Sequence, residues 1–367
     1  MNKKRSSNIE LLRIVAMFMI ITYHIFIHCM YAQLNNGNNS LFNHPIFYKR
    51  LIFFSVISPF GKIGDVIFIL ISGYFMINKG KDINLQKTVT KLLSQQGFVA
   101  LILLLGSSIV FKISRLSTLT NHTLIKMVDA NIFNNLSWFP GYYFLIILIA
   151  ALFLNNYLLK LDQKKYITFL LILFSLTQFA WISKLLYTIS EELIVLITGI
   201  FLYSLGGYIR LYNPFSKIRM YVLPFILVVC FVIVCISAHN ITYNNIQTCT
   251  AKTFNQDILQ FSDFNILPLI CGITLFEMFR RINISHSKLI NFIGSSTFIV
   301  YLIHDNEFFY SFWNANNWIP TLYKNPAMYY LEYFVLIILT FTIGIIMYTF
   351  YTLLMNCLPR LKKLILK

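Results

Sequence analysis

The sequence predicts an all-α polytopic membrane protein with about ten transmembrane helices and both termini cytoplasmic. Three observations lead there. Hydrophobic residues make up 57% of the 367 and charged residues only 12%, more apolar surface than a soluble domain of this size buries. Ten apolar segments can be drawn, at 10–31, 58–78, 94–114, 138–158, 166–183, 191–209, 220–238, 263–280, 290–312 and 331–355. With the N-terminus inside, twenty Lys and Arg fall in cytoplasmic loops and eight in outer loops, with Arg13 and Lys62 within spans; this is the positive-inside bias. The net charge of +17 is spread over short loops and is not gathered into a basic face, which excludes nucleic-acid binding. No hydrophilic stretch could fold separately, so residues 1–367 read as one integral-membrane domain with no fused extracellular domain.

The first segment follows Lys3, Lys4 and Arg5 and carries Arg13 and His24 inside its apolar run. It is too long, and too polar at those positions, for a cleavable signal peptide. Eleven helical steps rotate by roughly 20° and rise roughly 16 Å, so Arg13 and His24 share a face at two depths, and His28 continues that face. An ionisable side chain in hydrocarbon marks a functional site by default. The alternative is an arginine snorkelling to the headgroups and a satisfied interior histidine.

The second segment enters from outside as Lys62-Ile-Gly-Asp65, with Ser72-Gly73-Tyr74 further in. Asp65 lies at a depth similar to His24, and a carboxylate that orients a histidine is a common acid–base arrangement. Pairing of Asp65 with Lys62 is the competing reading. The ninth segment runs outward through Tyr301-Leu-Ile-His304, which places His304 at the same level. Three ionisable groups at one depth describe a polar cavity open to the exterior.

At the inner side, Arg13 sits one turn into the membrane with Glu10 one turn before it. Lys87 and Lys91 precede the third segment at i and i+4, and Arg280 and Arg281 end the eighth. These cations are placed to neutralise phosphates. Topology alone is the competing account of the loop residues.

The fourth segment opens with Trp138-Phe139-Pro140, ordinary residues for a membrane interface. The long loops 32–57, 115–137, 239–262 and 313–330 are rich in Asn and aromatic residues, which suit either carbohydrate contact or plain turns. The six cysteines have no CxxC spacing and the histidines form no ligand-type cluster, so no metal site is expected. A Cys29–Cys249 disulfide on the outer side is geometrically allowed.

Taken together, these residues resemble the integral-membrane acyltransferase 3 family, which includes O-acetyltransferases of bacterial surface polysaccharides. Its hallmark is Arg and His separated by ten residues in the first span, matched by Arg13 and His24. Gly64-Asp65 through Ser72-Gly73-Tyr74 is similar to its second-span pattern, Trp138-Phe139 to its Trp-Phe, and Tyr301-Leu-Ile-His304 to its late Tyr-Leu-x-His. The chain departs where members often carry an Arg-rich stretch ending in Pro, having Lys87-Thr-Val-Thr-Lys91 instead.

The resemblance implies a membrane O-acyltransferase in a bacterial plasma membrane. It would move acetyl, or succinyl, from cytoplasmic acyl-CoA to a hydroxyl of an envelope glycan or its lipid-linked precursor. On that reading His24, Asp65 and His304 are catalytic, with His304 stabilising an oxyanion or orienting the sugar. Arg13, Arg280, Arg281, Lys87 and Lys91 bind the donor, acyl-CoA is a substrate and not a resident cofactor, and polysaccharide synthesis or export proteins are possible partners. A transporter or flippase of lipid-linked sugar or acyl groups is the alternative, but it would want inverted repeats that the chain lacks. A purely structural export subunit would leave His24, Asp65 and His304 unexplained.

Overall fold

Every regular element among the described residues is helical; the computed structural model describes residues 5–31, 33, 50, 53–114, 138–179, 191–248, 263–314 and 318–365. In chain order the helices are α1 (Ser7–Ile25), α2 (Phe60–Met76), α3 (Leu85–Ser114), α4 (Trp138–Leu158), α5 (Gln163–Gln178) and α6 (Glu191–Tyr212). They continue as α7 (Val222–Thr248), α8 (Ile266–Arg281), α9 (Lys288–His304), α10 (Glu307–Trp313), α11 (Trp318–Lys324) and α12 (Pro326–Ile365). Among the described residues six stretches are long and apolar enough to cross a bilayer: Ser7–Tyr31, Phe53–Lys79, Trp138–Leu158, Glu192–Tyr212, Val222–Asn240 and Pro326–Cys357. The other expected segments fall on α3, α5, α8 and α9, of which α5, α8 and α9 are only 16 or 17 residues long.

α2 is the hub. It packs against α1, α6 and α8, while α9 packs between α1 and α12. Small residues permit the closest crossing: a Cβ on Gly73 would collide with the Tyr203 carbonyl, and one on Gly206 with the Leu70 carbonyl. The backbones of α2 and α6 therefore touch, as small residues allow in membrane helix pairs. The periphery is apolar. Phe225, Val228, Phe231, Val232 and Ile236 of α7 and Leu331, Phe334, Val335 and Ile338 of α12 are exposed, a surface suited to lipid.

The boundaries differ from the sequence reading in informative places. The ninth segment does not run to 312. Asn306 ends it, donating its side-chain amide to the Ile303 carbonyl and accepting from Phe309 N–H at 3.2 Å as the cap of α10. An Asn that offers the backbone alternative partners breaks a helix this way. α7 continues to Thr248 and α11 forms within 313–330, where loops were expected. Residues 115–137, most of 32–57, and Cys249 lie outside the described residues.

Candidate active site

His24 is buried near the end of α1, where the helix passes into a π-helical stretch, Phe26–Tyr31. Such stretches are concentrated at functional sites. His304, fully buried, ends α9 and faces it: Nδ1 of His24 lies 3.1 Å from Nε2 of His304. The second nitrogen of His304, Nδ1, is 2.7 Å from the Val300 carbonyl, which can only accept, so that nitrogen carries the hydrogen. In neutral rings Nε2 of His304 is then the acceptor and Nδ1 of His24 the donor. Nε2 of His24 keeps its lone pair, the form a base or nucleophile requires.

The carboxylate beside this pair is Asp305, whose Oδ1 lies 3.6 Å from His24 Nδ1. It also accepts a hydrogen bond from the Tyr310 hydroxyl, and the Tyr310 ring stacks on His28 at 3.7 Å. The His28 ring stands edge-on to His24 at 5.6 Å.

Asp65, expected to orient His24, is buried and paired instead with Lys62 at 3.7 Å. The Lys62 ammonium also lies 4.2 Å from the Trp138 ring and 4.7 Å from that of Phe264, a cation–π clamp. Of the two readings left open for Asp65, this geometry matches the ion pair. His304 also differs from expectation. Both its nitrogens are engaged, by His24 and Val300, so its place is behind His24 and it has no nitrogen to offer an oxyanion.

A cavity of about 530 Å³ opens among α1, α2, α3, α4 and α9. Its lining changes along its length. Arg5, Arg13, Lys79, Lys87 and Lys91 crowd one end. Ser72, Tyr143, Gln95 and Thr297 follow, and the Ser72 and Tyr143 hydroxyls are 2.9 Å apart. Met17, Phe68, Phe139 and Tyr301 close the other end, and the Tyr301 ring lies 5.9 Å from His24. The same order runs along each helix toward His24: Arg13 to Met17 on α1, Ser72 to Phe68 on α2, Thr297 to Tyr301 on α9.

Among the described residues no carboxylate lines the cavity. Glu10, buried behind it, sits 3.4 Å from Arg5 and 3.5 Å from Arg13 and anchors both; Arg5 also donates to Ser295. Gly294 leaves the room Glu10 needs. Partial desolvation at the cavity wall, then the charges of Arg5 and Arg13, hold the Lys91 ammonium below the usual lysine range. A pocket whose described charged lining residues are all cationic complements a polyanion.

Arg13, Lys87 and Lys91 thus share one cavity, whereas Arg280 and Arg281 are engaged elsewhere. Both pair with the buried Glu277 of their own helix, Arg280 at 2.8 Å. Arg280 also donates to Asn213 at 2.6 Å and Arg281 to the Ile218 carbonyl at 2.5 Å, which staples the α6–α7 connection to α8. Among the described residues no group of three or more His, Cys, Asp or Glu could hold a metal ion, and Cys29, Cys230, Cys235, Cys271 and Cys357 are free thiols.

The comparisons bear on this arrangement directly. A family model described as an acyltransferase domain, that of the acyltransferase 3 family, matches residues 6–354. The chain belongs to the acyltransferase 3 family. Searches of curated proteins and of solved structures found no match. As a multi-pass membrane acyltransferase, this family member requires an activated acyl donor and an acceptor to meet at one reactive group, and the His24 ring lies 5.9 Å from that of Tyr301 at the apolar end of the cavity.

Two site residues were hidden in the sequence. Asp305 follows His304 directly, and on a continuous helix i and i+1 diverge; only the break at Asn306 turns it to His24. Arg5 was legible only as a topology charge, and its hydrogen-bond partner Ser295 is 290 positions away.

Proposed function

We propose that this acyltransferase moves an acyl group, acetyl above all, from cytoplasmic acyl-CoA to a hydroxyl of an envelope glycan or its lipid-linked precursor, in a bacterial plasma membrane. The observation that carries this reading is a single cavity with a cationic mouth and an apolar end next to His24. The cationic mouth suits the phosphates of CoA. The hydroxyls and amide of Ser72, Tyr143, Gln95 and Thr297 suit an amide-bearing arm. The rise of about 16 Å between Arg13 and His24 is comparable with an extended pantetheine, so one donor would touch both.

Chemistry follows from the free Nε2 of His24. As general base it takes the acceptor's hydroxyl proton while the oxygen attacks the thioester carbonyl; the carbon–sulfur bond breaks and the CoA thiolate leaves, collecting a proton. His304 holds the productive tautomer, and Asp305 at 3.6 Å balances the imidazolium that forms. The orientation that puts Arg5 and Lys87 inside is the one the loop charges favour. The test compares O-acyl content of surface glycans in cells making the wild type or His24→Ala at equal membrane levels. Loss of O-acyl groups in the variant is expected, and unchanged content contradicts the reading.

A further inference from the structure

The apolar end of the cavity bears on which acyl group is moved. For a thioester carbonyl to reach His24, the acyl chain must lie against Met17, Phe68, Phe139 and Tyr301. Tyr301 joins this cap to the reactive histidine, its ring 5.3 Å from Phe139 and 5.9 Å from His24. Phe139 has no room to retreat. It is 5% exposed, with Tyr143 and Tyr142 both at 6.1 Å and Phe68 at 6.5 Å between ring centroids. Packed rings of this kind do not yield to added methylenes as a flexible side chain would. Among the described residues the cap also lacks a cation: Arg13, one turn below Met17, is held by Glu10, and Lys62 by Asp65.

Building on the acyl-CoA reading above, we infer that this aromatic cap is the acyl pocket, that it restricts transfer to short uncharged acyl groups, and that Phe139 sets the length limit. A succinyl group would bring a carboxylate against Phe68 and Phe139 with no cation among the described residues to pair it. Longer chains would have to displace Phe139 itself. A pocket of this kind discriminates by about tenfold or more per methylene.

The experiment offers purified protein in proteoliposomes acetyl-, butyryl-, octanoyl- and succinyl-CoA, with an envelope glycan extract as acceptor, and follows acyl transfer. The wild type should favour acetyl over butyryl, two methylenes longer, by about 100-fold or more, with octanoyl and succinyl slower still. Phe139→Ala should raise the butyryl-to-acetyl ratio about tenfold, and the milder Phe139→Leu should raise it less. Wild-type transfer of octanoyl or succinyl as readily as acetyl overturns the inference without recourse to any variant. An unchanged ratio in a folded Phe139→Ala does so too. Failure of the wild type to transfer any group from any of these donors overturns the acyl-CoA reading and this inference with it.

Discussion

Nδ1 of His24 donates to Nε2 of His304 across 3.1 Å, and this bond decides which nitrogen of His24 is available for chemistry. The bond exists because α1 and α9 pack side by side and because His304 spends its own hydrogen on the Val300 carbonyl. Replacing His304 therefore frees the His24 ring without removing it. His304→Leu should lower kcat by about 10–100-fold, short of the loss from removing the general base itself. His304→Gln, which keeps an acceptor near the Nε2 position, should retain more activity than Leu. Initial rates at saturating acetyl-CoA measure the difference.

Asp305 lies 3.6 Å from the same nitrogen, and on the proposed mechanism it would balance the charged form of His24. Asp305→Asn keeps the shape and removes the charge. The expected result is a kcat about 10–100-fold lower with the donor KM within about twofold of wild type, the pattern of an interaction made in the transition state. A raised KM with intact kcat would place Asp305 in donor binding instead.

At the cationic mouth, Lys91 releases its proton more easily than an ordinary lysine near pH 10.4, because partial desolvation at the cavity wall and the charges of Arg5 and Arg13 disfavour its charged form. A lowered value means the charge is present at low pH and lost as pH rises, earlier than for a free lysine. Donor KM should therefore climb with pH on approach to that range. Lys91→Arg, charged throughout, should flatten the climb, and Lys91→Gln should raise KM at neutral pH. Steady-state kinetics against pH, at fixed ionic strength, reads both.

Arg281 provides the contrast. It bonds to Glu277, which is 1% exposed, and to the Ile218 carbonyl, away from the cavity. Arg281→Ala should cost about 1–3 kcal/mol by leaving buried acceptors unsatisfied. The donor KM should not change. A thermal-shift measurement in detergent beside the KM separates this from the effect of Lys91→Gln.

How far the sequence reaches is clearest at these residues. Arg13 and His24 share a helix face because eleven residues nearly complete whole turns, so local geometry sufficed. The apolar segments located the long helices for the same reason, since burial in lipid demands continuous apolar surface. Asp65 was less legible. Depth alone does not say whether a carboxylate faces His24 or the Lys62 three residues before it, and here it faces Lys62. Asp305 depended on a helix break at Asn306, and the end of α9 at 304 in place of 312 has the same origin. Arg280 and Arg281 looked available for phosphate because Glu277, inside the apolar run, gave no sign that it would claim both.

The central claim is that a donor held at the cationic mouth delivers its acyl group next to His24. Proteoliposomes given acetyl-labelled acetyl-CoA and an envelope glycan extract test it most directly, with wild type beside His24→Ala. The wild type should pass label to the glycan, while His24→Ala should still bind the donor but transfer label at least about 100-fold more slowly. Equal transfer by the two proteins would contradict the account.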